Sequence, residues 1–481
     1  ARLDGLPLAI ELAASRIKLL PPRALLDRLG RRLDVLQSTA ADRTDRQRTL
    51  RGAIAWSYEL LGEDERAQFR RLAIFVGGWR LEDAEKIVPA AGPLALDILN
   101  GLSRLLDHSL IRQLEEEPEP RYGMLETIRD FGLERLADSQ ELPPTARAHA
   151  DCFAGLVAEA EPELTRGAAW LDRLEREHAN IRAALAWMAD NDVERALLTA
   201  GALWRFWHLR GHLREGRTTL ADLLGRADAA APTRARAKGL LGLAGLAYWQ
   251  TDYETARSCY AEALAVARGL GELELEVETL YSVAYVRAIE RDYDGAVLAY
   301  REAQTIYEEL GDALGRAWSS MGLGMVATLR GDHQQALTLL DTARSAFERL
   351  NDRFGVRNVI GVRSRALMQL GRLDESRTVN REAIERSHSE QDPTSLSSSL
   401  LDLAALEALA GQLERAARLV GVAERIIEES GGQPPPELIN RIDPRPILHD
   451  RLDAATLATL IAEGRAMSTA DAVSMALAVD R

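Results

Sequence analysis

DYETA (residues 252–256), DYDGA (292–296) and DHQQA (332–336) recur every 40 residues, RLDES (372–376) and QLERA (412–416) continue the series, and HLREG (212–216) opens it. Each segment ends on a small residue: Gly216, Ala256, Ala296, Ala336, Ser376 and Ala416. Seven positions further on, Ala263, Ala303, Ala343, Ala383 and Ala423 form a second small column. A third, twelve positions before the first, holds Ala244, Ala284, Gly324, Ser364 and Ala404. A fixed period of this length is the mark of a repeat array in which each unit buries its apolar face against its neighbours. Small residues at constant sites let two antiparallel helices approach closely, and Leu243, Val283, Leu323 and Leu403 fill the space between repeats. Gly331, Gly371 and Gly411 read as stops at the end of the first helix of their repeats. The acidic residues Glu272, Asp312, Asp352 and Asp392 read as short-loop residues. Arg363 stands where the neighbouring repeats place Leu or Val, so the fourth repeat departs from the pattern.

Working outward, the chain has 481 residues, 46% hydrophobic and 28% charged, the balance of a soluble globular protein of several domains. Net charge is −14, with +5 on residues 1–51 and therefore −19 on the remainder. An acidic chain of this kind does not coat DNA or an anionic membrane. No apolar run reaches the ~20 residues of a bilayer-spanning helix. Cys152 and Cys259 are the only cysteines, too few for a disulfide framework, which fits a cytoplasmic location. Only Lys18, Lys86 and Lys238 are lysines, so the positive charge is almost entirely Arg. The start, ARLDGLPLAI, has neither an initiator Met nor a signal-peptide pattern and reads as the middle of a longer protein.

The repeats resemble the tetratricopeptide family, whose unit carries a small residue, an aromatic four later and Ala three beyond that. Ala256-Tyr260-Ala263 and Ala296-Tyr300-Ala303 match this spacing, although the period is 40. The family's use of the inner face of each first helix implies a ligand or peptide groove lined by Tyr248, Trp249, Tyr281, Tyr285, Trp318, Met321 and Met325. Aromatic and Met side chains there suit a peptide or an apolar small molecule. For any one of them packing between repeats is the commoner fate.

GLPL (5–8), followed by AIELAASRIKLL, resembles an element of the NB-ARC nucleotide-binding module of STAND-class ATPases, where the Pro lies beside the nucleotide base. RQRTLRGAIAWSYELL, RAQFRRLAIFVGGWRLEDAEKIV, LLDHSLI and RYGMLETIRDFGLERLA follow in the order of that module's tail and its winged helix in LuxR- or SARP-like bacterial transcriptional regulators. WLDRLEREHANIRAALAWMA and EGRAMSTADAV are similar to later parts of the same family. The resemblance implies an all-α chain with a small β wing: an NB-ARC remnant (1–45), a winged helix (46–140), a helical connector (141–200), a tetratricopeptide-like solenoid (201–430) and a helical cap (431–481). It further implies that Gly5, Leu6 and Pro7 face a nucleotide base in a full-length parent using ATP or ADP. In this chain no G-x-x-x-x-G-K-[ST] loop is present, so tight phosphate binding lacks its backbone cradle and Lys. Leu125 stands where the family places a phosphate-sensing His and cannot donate a hydrogen bond.

The segment 94–110 is the expected third helix of the winged helix, with its lead-in. It offers only Asn100 and Arg104 to a base edge, and its charge is net −1. The wing, Glu115, Glu116, Glu117, Pro118 and Glu119, repels phosphate, so direct DNA contact is not expected. Arg43, Arg46, Arg48 and Arg51, interleaved with Asp42 and Asp45, read as a solvated linker. His208 and His212 are four apart without a third ligand, so no metal site is expected. No nucleophile-base pair or carboxylate pair stands out, and no catalytic residue or cofactor of this chain is expected. The expectation is therefore the sensing and relay portion of a STAND-type transcriptional regulator, which binds a small molecule, peptide or protein and contacts an upstream nucleotide module. Oligomerisation on activation and no membrane contact belong to the same reading. A DNA-binding winged helix and a free-standing repeat scaffold for protein–protein interaction are the alternatives.

Overall fold

The structure, a computed structural model, describes residues 50–114, 120–164, 168–250, 252–389, 393–430 and 442–478. The NB-ARC-like stretch with Gly5, Leu6 and Pro7, the acidic wing residues 115–119 and Asp392 lie outside the described residues. Contacts divide the chain into two compact units, Ala1–Pro162 with Asp172–Thr199, and Glu163–Leu171 with Ala200–Arg481.

The first unit contains α1 (Leu50–Glu59), α2 (Glu63–Leu72), β1 (Trp79–Arg80), α3 (Leu81–Ile87), α4 (Ile98–Asp107), β2 (Arg112–Leu114), β3 (Arg121–Gly123), α5 (Glu126–Asp138) and α6 (Leu142–Ala160). It also takes in most of α7 (Ala168–Asn191) and the start of α8 (Val193–Leu209). The three strands form one antiparallel sheet in the order β1-β3-β2, with Trp79 opposite Tyr122 and Gln113 opposite Tyr122 on the other side. Phe69, Leu72, Phe75, Trp79, Leu102, Leu105 and Phe153 are buried at its centre. Arg71 is buried as well, because its guanidinium closes the 3-10 turn at Val88–Ala91 through the carbonyls of Val88, Ala91 and Gly92 and pairs with Glu141 at 2.7 Å.

The second unit is an all-helical solenoid. After α9 (Leu213–Leu224) the helices alternate as first and second members of each repeat: α10 (Arg234–Trp249) with α11 (Tyr253–Leu270), α12 (Leu273–Ile289) with α13 (Tyr293–Glu309), and α14 (Ala313–Arg330) with α15 (His333–Arg349). They continue as α16 (Arg353–Gln369) with α17 (Leu373–Ser389) and α18 (Pro393–Leu409) with α19 (Leu413–Ser430). The small columns lie at the helix crossings, and every Ala in them is essentially inaccessible to solvent. Of the loop acids, Asp312 and Asp352 are helix caps, whereas the Glu272 side chain makes no cap bond. Asp252, Asp292, Asp312, Asp332 and Asp352 each accept a hydrogen bond from the backbone N–H three residues on, satisfying a donor that the first turn leaves free. Turns end in the left-handed region at Gly271, Gly311, Gly331, Gly371 and Gly411, and Arg291 and Asn351 occupy the same register with φ of 65° and 54°. In the fourth repeat Arg363 reaches Asp341 at 2.8 Å, and Ser364 bonds Ser376 at 3.0 Å where other repeats set Ala or Gly against Ala. The C-terminal helices α20 (Pro444–Arg451), α21 (Ala454–Ala466) and α22 (Thr469–Leu477) cover the last repeat, with α21 stacked on α19 and α22 against α17 and α19.

Candidate functional site

The expected groove residues lie on three successive first helices, α10, α12 and α14. Tyr248, Met321 and Met325 are buried, whereas Trp249, Tyr281, Tyr285 and Trp318 are half-buried. Ring contacts bring three of them together. Tyr248 meets Trp249 and Tyr285 edge to face, at centroid distances of 5.8 and 5.6 Å. Trp249 in turn stacks on His208 at 3.8 Å. Tyr281 and Trp318 instead turn towards second helices, meeting Tyr300 at 5.4 Å and Phe347 at 4.9 Å. Tyr285 packs against the two apolar clusters on either side of it, one centred on α10–α11 and the other running from α12 to α17.

Charge on these helices is compensated. Lys238 of α10 pairs with Glu278 of α12 at 3.1 Å, and Arg365 of α16 pairs with the buried Asp402 of α18 at 3.0 Å. Burial holds the tyrosines protonated: it pushes the Tyr281 hydroxyl up to about 12 and that of Tyr285 well above its ordinary value. The arrangement is a strip of aromatic and thioether side chains between two ion pairs, with the Arg205 charge acting on Tyr281. His208 and His212 are both taken up in ring packing, His208 on Trp249 and His212 against Phe206 at 5.6 Å. Burial, then the Arg205 charge, lowers His208 to about 4.

In the first unit a cavity of about 380 Å³ is lined by Asp83, Lys86, Asp151, Cys152, Glu159 and Arg173 among others. Burial raises the Cys152 thiol to about 11, so it is a thiol and not a thiolate at neutral pH and is no activated nucleophile. On the proposed third helix of the winged helix, α4, Arg104 faces Glu65 at 3.8 Å, which further weakens it as a phosphate contact.

A buried polar network beside the sheet carried no sequence signal of its own. Asn180 of α7 accepts from the Val76 N–H at 2.7 Å and donates to the Gly78 carbonyl and to Glu177, each at 2.9 Å. Glu177 pairs with Arg121 of β3, and His149 of α6 approaches Asn180 at 3.4 Å. Gly78 is required here. It sits at φ +106°, and a Cβ would lie 2.8 Å from the Tyr122 carbonyl oxygen. Through this network Glu177 and Asn180 hold strand and loop to one helix.

No protein-family model matches the chain. Over 280 residues it is 36% identical to proteins of Mycobacterium tuberculosis and Mycobacterium bovis described as "Putative HTH-type transcriptional regulator", covering 56% of this chain and 32% of theirs. It is 33% identical over 141 residues to an uncharacterized M. tuberculosis protein, covering 29% of this chain and 36% of that one. The chain thus spans about a third of the length of these curated relatives. Among solved structures, a STAND protein with a tetratricopeptide repeat sensor from Pyrococcus horikoshii overlays at a TM-score of 0.37 and 17% identity, covering 88% of this chain and 72% of that one. A Rap protein complexed with competence and sporulation factor overlays at 0.44 and 13% identity, covering 73% and 93%. At these scores no site is transferred from either structure.

Proposed function

We propose that this chain is the sensing and relay portion of a STAND-type transcriptional regulator, with the solenoid as the ligand-binding element. The observation that carries the reading is the aromatic and Met strip on α10, α12 and α14, which interrupts an otherwise small-residue and aliphatic repeat and is bounded by compensated charges. The likeness to mycobacterial regulators over 280 residues supports a place in transcriptional control. In this reading the three-stranded sheet with α1, α2 and α4 is a winged helix that relays. A ligand bound to the solenoid shifts the equilibrium between two arrangements of the parent protein, and an upstream nucleotide module holding ATP or ADP reads that shift. The chain itself performs no catalysis in this reading.

The test is a thermal-shift screen of the chain against peptides, sugars and small-molecule fractions. A ligand at 100-fold its Kd stabilises the folded state by ~2.7 kcal/mol, a measurable rise in Tm. No binder in any class contradicts the reading. The name carried by the relatives favours one second reading, direct DNA contact by the winged helix. The acidic balance and the Arg104–Glu65 contact weigh against it. Salt-dependent binding to random duplex at low ionic strength is the result that establishes it.

A further inference from the structure

In three successive repeats the second helix sends one side chain onto the first helix of the next, 22 residues on. Leu220 lies against Gly242, the Tyr260 hydroxyl bonds Ser282, and the Tyr300 ring lies against Gly322. The same two positions hold Leu340 and Val362 in the following repeat, both in one apolar cluster, and then Asn380 and Asp402, both buried. At the three contacting joints an apolar side chain meets glycine and a hydroxyl meets a hydroxyl, except at the last. Tyr300 alone presents a hydroxyl to a residue with no side chain. That hydroxyl is buried with no hydrogen-bond partner, and Tyr300 is 0% exposed. A native protein rarely leaves such a donor without a purpose, since each costs desolvation with nothing in return.

Its position gives the purpose. A Cβ at Gly322 would sit 2.4 Å from Tyr300 Cε1 and Cζ, so the missing side chain is what lets the ring reach through to the layer of the groove residues. There it meets Tyr281 edge on, and Met321 and Met325 flank Gly322 on the same helix. Both Met side chains are unbranched and able to move aside for an entering group. Two ion pairs, Lys238–Glu278 and Arg365–Asp402, flank the strip, and Arg205 of α8 is the charge that acts on Tyr281.

We infer that Tyr300, admitted by Gly322, is a hydrogen-bond donor of the groove, and that the ligand is an apolar or aromatic group bearing an oxygen acceptor. A peptide carbonyl and a ketone or ether of a small molecule share this chemistry. The inference rests on the reading of the solenoid as the binding element.

Two measurements on the full chain test it. The first needs no ligand. Tyr300→Phe deletes an unsatisfied hydroxyl and raises Tm by about 2 °C, whereas Tyr260→Phe deletes a bonded one and lowers it. A fall in Tm for both variants alike means that Tyr300 is bonded in the free protein and overturns the inference. The second compares acetophenone with ethylbenzene, its near-isostere without an acceptor, in titrations of the wild type, Tyr300→Phe and Trp318→Ala. The wild type binds acetophenone about tenfold more tightly, Tyr300→Phe removes that preference, and Trp318→Ala weakens both probes. The peptide source is distinguished from the small-molecule source by repeating the titration with N-acetylphenylalanine amide. A preference that survives in Tyr300→Phe, or no acetophenone binding at all, overturns the inference. If Trp318→Ala leaves both probes unaffected, the groove itself is at fault and the broader reading falls with it.

Discussion

At the scale of the residue, the turn register shows how far a sequence pattern carries. Gly331, Gly371 and Gly411 were legible as helix stops because glycine marks the left-handed conformation. Arg291 and Asn351 adopt the same conformation without announcing it. An L side chain there costs ~1 kcal/mol, so Arg291→Gly raises stability by about that amount in chemical denaturation, and an unchanged midpoint refutes the strain. The same limit hid His149. Its burial and then the Arg129 charge lower it to about 4, opposed by Asn180 and Asp83. The unfolded chain then binds a proton that the folded one does not, between its ordinary value of 6.5 and about 4, so stability is lost as pH falls through that window. The slope from this residue is at most ~1.4 kcal/mol per pH unit. His149→Gln, titrated by urea unfolding from pH 7 to 4, shows a shallower pH dependence than the wild type; parallel curves contradict the assignment.

At the scale of the element, the repeat helices were readable because period 40 fixes which positions are small. Their crossings follow from that alone. Less visible was how tightly the cap closes. A Cβ on Gly421 of α19 would lie 2.1 Å from the Ile461 carbonyl oxygen of α21, and one on Gly464 would lie 2.0 Å from that of Arg418. The two helices cross backbone to backbone. Gly464→Ala therefore separates them and destabilises the unit by about 2 kcal/mol, with amide exchange rising in α21 and α22 before the central repeats. Arg381 and Arg415 hold the end of α22 through the Ala478 carbonyl, which ties this cap to two further helices. In the first unit the decisive contacts are polar. Arg121→Met leaves the Glu177 carboxylate buried without its partner and costs ~3–5 kcal/mol, while adding Glu177→Leu recovers most of it. A double variant no better than the single one shows that the pair is not the source. Neither residue stood out in the sequence, because a buried ion pair looks like any Arg and Glu until strand and helix are brought together.

At the scale of the molecule, the legible part was the architecture: a helical repeat unit and a smaller unit with a short sheet. What resisted reading was the fate of the groove residues. Periodicity assigns Tyr248, Met321 and Met325 to one face of their helices, but it does not say whether a neighbouring helix covers that face, and here all three are buried. Trp249, Tyr281, Tyr285 and Trp318 are the half-buried part of the strip. The chain holds seven methionines, of which only Met321 and Met325 belong to this strip. Methyl spectra of the [13C]methionine-labelled chain, recorded with and without whichever compound raises Tm, therefore localise the binding. Met321 and Met325 are expected to shift, with Met124, Met188, Met368, Met467 and Met475 unmoved. Shifts confined to those other five, with the two strip methyls unchanged, contradict binding on the strip.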